Sequence, residues 1–190
     1  MMTAAEPQTD RIRYRWSRSE YERMAETGVL EPSLRLELID GEILQMPPQS
    51  TRHFTAIRLT ERVLSHIFAD GYDVRSQGPL AIDGYSEPEP DVAVVEGSAR
   101  DYAAAHPHKA VLIVEVAESS LGFDRIAKKR LYARNGIPEY WILDLGTNAL
   151  EVYRDPRGDD FLSKQTMGRD GVIAPLAASQ CPIAVADLLP

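Results

Sequence analysis

The sequence has little cysteine, few aromatic residues and no long apolar run, and each shortage excludes a class of protein. Cys181 is the single cysteine among 190 residues, so the chain has neither an internal disulfide framework nor a cysteine-based zinc site. No run approaches the roughly 18 to 20 apolar residues that a membrane span needs. The N-terminus also lacks the apolar core of a secretory signal. We therefore expect a protein of the reducing cytoplasm that has no membrane contact.

Positive charge is scarce as well. The chain carries 21 Lys and Arg residues against 29 Asp and Glu residues, which gives a formal net charge of −8. Such a charge repels polyanions at long range, so tight nonspecific binding of nucleic acid is excluded as the default function. Nucleic acid could still bind through a local basic strip, or where metal ions neutralise an acidic site.

The patterns that are present predict one α/β (α+β) domain with a mixed central sheet flanked by helices. A capping box at Ser17 and Glu20 begins the first helix, and Asp40-Gly41 separates two β-rich runs as in a hairpin. We expect a flexible arm over residues 1–15, a single domain over 16–190, and a Gly-, Asp- and Arg-rich loop after residue 153. Predicted helices cover 17–28, 52–69 and 124–135, and predicted strands cover 34–39, 42–46, 72–76, 79–82, 91–95, 111–116, 139–144 and 150–153.

Three charged residues stand out against this pattern. Glu115 interrupts an otherwise apolar strand, where a carboxylate is rare unless it is paired or binds a metal. Asp91 lies at the mouth of another strand, where turn chemistry alone would explain it. Lys128 shares one helical face with Asp124 and Tyr132, although most basic helix faces are merely solvated.

Taken together, these residues suggest a metal-assisted hydrolase. Asp91 and Glu115 are 24 residues apart, on strands that can pair side by side. Two carboxylates on adjacent strands can bind a hard cation such as Mg²⁺ and leave positions open for water and phosphate oxygens. Hydrolysis of a phosphodiester needs that charge neutralisation and an activated water.

Several stretches resemble a known family. The runs EPDVAVV at 89–95 and IVEV at 113–116 resemble the PD-(D/E)XK nuclease superfamily. The match narrows to the Uma-two family of proposed restriction endonucleases through RLELIDGE at 35–42, the Asp124 to Tyr132 helix face, and NGIPEYWILD at 135–144. The resemblance covers roughly residues 17–189 and implies a restriction-endonuclease-like fold.

The resemblance also implies roles for individual residues. Asp91 and Glu115 would bind Mg²⁺, or Mn²⁺ as a substitute, together with the backbone carbonyl of Val116. The superfamily's lysine normally follows the acidic residue by two positions, which is Ala117 here, and Lys128 on the next helix takes its place. Glu37 and His53 match recurring family positions and are assigned supporting catalytic roles. The chain departs from the family at Glu118, where a serine is common.

We therefore expect a Mg²⁺-dependent endonuclease that hydrolyses phosphodiester bonds of DNA and acts as a homodimer. The alternative is a catalytically silent nucleic-acid-binding or protein-binding module that retains the nuclease fold. A structural partner within a defence or mobile-element system is a third reading. The complete set of Asp91, Glu115 and Lys128 favours the enzyme, whereas the net charge of −8 argues against strong unaided binding of DNA.

Overall fold

The computed structural model describes residues 12–190, in which three helices and ten strands alternate. The third helix, α3 (residues 121–134), is continuous and contains a π-helical turn over Asp124–Lys128. The other two helices are α1 (Arg18–Glu26) and α2 (Thr51–Ile67). The strands are β1 (Leu36–Ile39), β2 (Glu42–Gln45), β3 (Tyr72–Ser76), β4 (Val92–Glu96), β5 (Leu112–Ala117), β6 (Glu139–Asp144), β7 (Ala149–Arg157), β8 (Asp160–Gly168), β9 (Val172–Ile173) and β10 (Ile183–Ala184).

Local sequence signals set the ends of the first elements, as predicted. Ser17 and Glu20 form the capping box that begins α1. Asp40 and Gly41 both have positive φ (53° and 81°), which is the backbone of a type I′ hairpin turn between β1 and β2. A side chain at Gly41 would also collide with Arg15, whose Cβ would lie 2.7 Å from the added carbon. The hairpin turn therefore depends on this glycine.

Six strands form the central sheet in the order β3-β4-β5-β6-β7-β8. Only β5 and β6 are parallel, and α3 connects them; all other neighbours are antiparallel. Every residue of β5 and β6 is buried, as the near-continuous apolar runs predicted. The mixed sheet flanked by helices confirms the predicted fold class.

The two faces of the sheet carry different layers. On one face, α2 packs Ala56, Ile57 and Leu64 against Val114 and Trp141. On the other face, α3 packs Leu131 and Tyr132 against Ile113 and Tyr140, and the β1–β2 hairpin contributes Ile39. The period of two along each strand sends alternate residues to alternate layers.

Two sequence predictions of secondary structure are wrong. Residues 79–82 form no strand: the Leu80 N–H donates to the Pro88 carbonyl and the Ala81 N–H donates to the Pro107 carbonyl, so the segment joins no ladder of the sheet. The predicted loop after residue 153 is instead the hairpin of β7 and β8, whose turn includes Gly158 at positive φ. Strand β8 is an edge strand that is mostly exposed, so it lacks the apolar alternation that marks a strand in a sequence.

Two other expectations concern the ends and surface of the molecule. The predicted arm spans 1–15, and its residues 1–11 lie outside the described residues. Within residues 12–190, no helix has the length and apolar character needed to cross a membrane.

Candidate active site

The sheet places two acidic side chains opposite each other where β4 begins. Val92 pairs with Val114, so the next pair outward is Asp91 and Glu115. Opposed residues of antiparallel strands point to the same face, which is here the α3 face. Asp91 is only 7% exposed and Glu115 only 3%. Carboxylates so deeply buried require partners.

Backbone amides tie the two carboxylates together. Asp91 Oδ2 accepts a hydrogen bond from the Val116 N–H at 2.8 Å, and the Asp91 N–H donates to Glu115 Oε2 at 3.4 Å. The N–H and C=O of one residue in an antiparallel pair point toward the same neighbouring strand. The Val116 carbonyl therefore lies on the edge of β5 that faces Asp91. The three predicted metal-binding residues meet at this point of the sheet.

Lys128 reaches Glu115 from α3. Its Nζ lies 3.0 Å from Glu115 Oε1 and 3.2 Å from Glu37 Oε1, and its side chain is 4% exposed. Lys128 ends the π-helical turn, in which the Lys129 N–H donates to the Asp124 carbonyl. Turns of this kind are rare and are frequent at functional sites. By contrast, Ala117 lies in the apolar core, so the only lysine at this strand comes from the following helix.

Two further residues of α3 belong to the cluster, and the sequence reading gave them no role. The Tyr132 hydroxyl donates to Glu115 Oε1 at 2.7 Å. Asp124 is 2% exposed and accepts a hydrogen bond from the Ser120 hydroxyl at 2.6 Å. The spacing of four residues between Asp124, Lys128 and Tyr132 was the signal for this shared face. The hydrogen bonds of Lys128 and Tyr132 to Glu115 show that the face points at the carboxylates.

Glu37 and His53 approach from the two opposite layers. Glu37, in β1, is 1% exposed; its Oε2 accepts no hydrogen bond within the described chain, although Lys128 Nζ lies 3.2 Å away. His53, in the first turn of α2, places its Nε2 3.3 Å from Asp91 Oδ1 and donates when that nitrogen carries the proton. All five predicted catalytic side chains therefore lie in one cluster.

The cluster has more buried acid than base. The carboxylates of Glu37, Asp91, Glu115 and Asp124 face a single ammonium group, that of Lys128. Burial raises the pKa of Glu115 to about 8 and that of Asp124 to about 6, although Lys128 opposes both shifts. Burial alone would lower the pKa of Lys128, but the carboxylates led by Glu115 raise it above its ordinary value. The ammonium is thus held in its charged form, and further positive charge would be stabilised here.

A cleft with a volume of about 70 Å³ opens beside this cluster, and the five predicted catalytic side chains all line it. A single water needs about 10 to 15 Å³ of such volume, so the cleft has room for an ion with several waters. The excess of carboxylates, and a Glu37 Oε2 that accepts no hydrogen bond within residues 12–190, fit a hard divalent cation. Within residues 12–190, no three His, Cys, Asp or Glu side chains converge as a complete metal site. The arrangement therefore fits a cation that takes the rest of its ligands from backbone, water or substrate.

The rim of the cleft carries polar residues outside the predicted catalytic set. The Ser50 hydroxyl caps the N-terminus of α2 and donates to Glu118 Oε2 at 2.5 Å. The carboxylate in which the chain departs from the family is therefore bound to the helix terminus at the rim. Arg35 also lines the cleft beside Glu89. Burial raises the pKa of Glu89 above its ordinary value, although the positive charge of Arg35 opposes the shift.

Comparisons with known proteins agree with the fold and with the resemblance. Residues 18–185 match the family model Uma2, described as "Putative restriction endonuclease". The fold also matches the crystal structure, at 1.96 Å resolution, of "a putative nuclease belonging to DUF820" from Anabaena variabilis ATCC 29413. That match has a TM-score of 0.70 and 18% sequence identity, and it covers 87% of this chain and 96% of the other. No curated protein matches the sequence.

Proposed function

The chain belongs to the Uma2 family, whose description is that of a restriction endonuclease, and from this premise we propose that it is a Mg²⁺-dependent endonuclease acting on DNA. Mn²⁺ would serve as a substitute cation. The observation that best supports the proposal is the convergence of Asp91, Glu115 and Lys128 from two strands and a helix into one cleft. The set corresponds to the PD-(D/E)XK arrangement with the lysine supplied by α3.

The proposed cation ligands are the carboxylates of Asp91 and Glu115 and the carbonyl of Val116. When bound, Mg²⁺ supplies Lewis-acid stabilisation of charge on a phosphate and lowers the pKa of a bound water. The protein fixes the orientation of both carboxylates in advance. His53 and the Val116 N–H contact the two oxygens of Asp91, and the Tyr132 hydroxyl holds Glu115. Such preorganisation is the usual source of tight ligand geometry.

Lys128 acts in this proposal through its charge and its hydrogen bonds. Its raised pKa keeps the ammonium protonated, so it is not a proton acceptor. Held by Glu37 and Glu115, the ammonium can orient a water and stabilise the negative charge that develops on the phosphate. Glu37 in turn positions the ammonium and has no hydrogen-bond donor for its second oxygen among residues 12–190.

We include a homodimer in the proposal. Concerted cleavage of both strands of a duplex favours two sites of opposite polarity, and a two-fold axis supplies them. Analytical ultracentrifugation of the protein with and without a DNA duplex tests this part. A monomer in both conditions would contradict the dimer without affecting the proposed chemistry of one site.

The central test is cleavage of a supercoiled plasmid and of a linear duplex in Mg²⁺, in Mn²⁺ and in EDTA. We expect nicking or cutting with either cation and none in EDTA. Glu115→Gln should lower the rate by at least about 100-fold, as for loss of a preorganised electrostatic group. Glu96→Gln is the matched control, because Glu96 is an exposed carboxylate at the far end of β4. Cleavage in EDTA, or an unaffected Glu115→Gln variant, would overturn the proposal.

The same experiment separates the enzyme from the silent binding module. A protein that retards the duplex in a gel, yet cuts neither substrate with either cation, would be the binding module with a nuclease fold. A second signature of the cation site is thermal. Mg²⁺ should raise the melting temperature of the wild-type protein and should raise that of Glu115→Gln less, because a ligand that binds only the folded state stabilises it.

A further inference from the structure

The outward face of α2 is a local basic surface on an acidic protein. The helix contains three arginines, Arg52, Arg58 and Arg62, and a single acid, Glu61, so it carries an excess of two positive charges. All three arginines are exposed, whereas the protein as a whole has a net charge of −8. A chain with that overall charge needs a local positive surface to approach a polyanion.

The arginines of α2 differ from the basic residues of α3 in their partners. Within residues 12–190, Arg52 and Arg62 form no ion pair, and Arg58 pairs only with Glu61 of its own helix. Every basic residue of α3 is paired with an acid from another element. These pairs are Arg125–Glu151, Lys128–Glu115, Lys129–Asp160, Arg130–Asp159 and Arg134–Asp40.

The helix that carries this basic face begins at the cleft, and Arg58 and Arg62 lie about 140° and 180° around its axis from His53. His53, in the first turn of α2, contacts Asp91, so the helix starts beside the proposed scissile site. With a rise of about 1.5 Å per residue, Arg58 and Arg62 lie roughly 10 and 16 Å along the axis from Thr51. One DNA strand advances about 3.4 Å per phosphate, so this distance spans roughly five phosphates.

We propose that the outward face of α2, through Arg58 and Arg62, binds the phosphodiester backbone of the DNA duplex where the duplex extends beyond the cleft. The inference rests on the proposed nuclease function and names the surface that holds its substrate. Glu61 does not block it, since the Arg58–Glu61 pair is exposed at the arginine, and exposed pairs contribute little. A phosphate offers the guanidinium a stronger, bidentate partner.

The test is the salt dependence of DNA binding, measured by fluorescence anisotropy of a labelled duplex in Ca²⁺, with cleavage of the same duplex in Mg²⁺ run in parallel. Two lost phosphate contacts should reduce the slope of log K against log salt by about 2. We therefore expect the double variant Arg58→Gln and Arg62→Gln to bind more weakly, with that smaller slope. Its melting temperature should stay at the wild-type value, because both side chains are exposed.

Arg100→Gln is the matched control. Arg100 is also exposed and forms no ion pair within residues 12–190, but its short 3₁₀ helix (Ala99–Tyr102) follows the end of β4 that lies away from Asp91. Arg100→Gln deletes one positive charge away from the proposed surface, so its salt slope should equal that of the wild type, whereas Arg58→Gln or Arg62→Gln alone deletes the same charge and should lower the slope by about 1. If the double variant had the same salt slope as the wild-type protein, the inference would be overturned. The nuclease proposal would still stand as long as the wild-type protein cleaved the duplex. A wild-type protein that neither binds nor cuts DNA would overturn both.

A duplex RNA of the same sequence distinguishes the two nucleic acids. DNA binding that depends on Arg58 and Arg62, and that exceeds RNA binding, supports the inference. Tighter RNA binding with the same dependence on the two arginines would overturn the assignment of DNA as the partner.

Discussion

Helices α2 and α3 cover opposite faces of one sheet and distribute charge in opposite ways. The inner side of α2 is apolar, with Ile57 and Leu64 in the core, and the arginines of this helix form no ion pair with another element among residues 12–190. The inner side of α3 holds Asp124 and Lys128, both buried, and its outer cations are paired.

The difference shows how the fold reconciles stability with a charged site. Apolar burial under α2 stabilises the sheet without the desolvation cost that ions carry. Burying ions under α3 costs free energy, and hydrogen bonds from Lys128, Tyr132 and the Val116 N–H offset part of it. The charges that hold a substrate can stay on the exposed face of α2, where water solvates them until the substrate arrives.

The largest expected effect is on the α3 side. Lys128→Met removes the only ammonium among the buried carboxylates, so cleavage should fall by at least about 100-fold. The free energy of unfolding should fall by about 3 to 5 kcal/mol, as when one partner of a buried ion pair is lost. Cleavage assays and urea unfolding measure the two effects.

Lys129→Met is the control for this prediction. Lys129 is the next residue of the same helix, but its partner Asp160 is exposed. The cleavage rate and the free energy of unfolding should therefore change little. Equal activity in the two variants would remove Lys128 from the proposed mechanism. If Lys128→Met does not fold, Tyr132→Phe tests the same cluster through the loss of one hydrogen bond to Glu115.

The apolar layer under α2 should respond in stability only. Trp141 is fully buried there, so Trp141→Ala should lower the free energy of unfolding by about 3 to 5 kcal/mol. Cleavage at temperatures where the variant stays folded should remain close to wild type. Trp16→Ala is the control, because the chain's other tryptophan is 37% exposed and should matter far less. Comparable losses in both variants would mean that the α2 layer is not the main apolar support.

Stability should also depend on pH through a carboxyl group between α1 and the β1–β2 hairpin, outside the α3 cluster. Glu87, beside the β1–β2 hairpin, has its pKa raised to about 7, first by burial and then by its contact with Glu22. Because the carboxyl of Glu87 binds its proton more tightly in the folded state, it contributes fully to stability below the unfolded pKa of about 4.5. This contribution to the free energy of unfolding is lost as the pH rises through the folded pKa of about 7. Wild type should therefore lose about 1 to 3 kcal/mol between pH 5 and pH 8 relative to Glu87→Gln. Identical pH profiles from urea unfolding would contradict the prediction.

The smallest expected effects are on the exposed surfaces of α3 and α2. Arg130→Gln breaks the exposed pair with Asp159 and should cost about 0.2 to 1 kcal/mol in the free energy of unfolding. Arg62→Gln breaks no pair within residues 12–190 and should change stability by less than about 0.5 kcal/mol. A larger loss for Arg62→Gln would indicate that α2 uses its arginines for folding.

Much of the site was predictable because its residues conflict with their local patterns. The sequence alone shows Glu115 within an apolar strand and Lys128 four residues after Asp124. Their common face followed from the period of two in strands and of 3.6 in helices. The strand predicted at 79–82 is wrong because the backbone hydrogen bonds of that segment go to loop carbonyls such as those of Pro88 and Pro107, which no apolar pattern indicates.

By itself, the sequence determined which segments could be buried, because alternation and capping are local properties of the chain. It therefore indicated the hairpin at Asp40-Gly41, the buried strands β5 and β6, and the acidic residues among them. Only the tertiary structure decided the pairing of Asp91 with Glu115, the π-helical turn that ends at Lys128, and the edge strand β8. The first depends on residues distant in sequence, the second on a local hydrogen bond across five residues, and the third on a ladder at an exposed edge. None of the three produces a periodic pattern in the sequence.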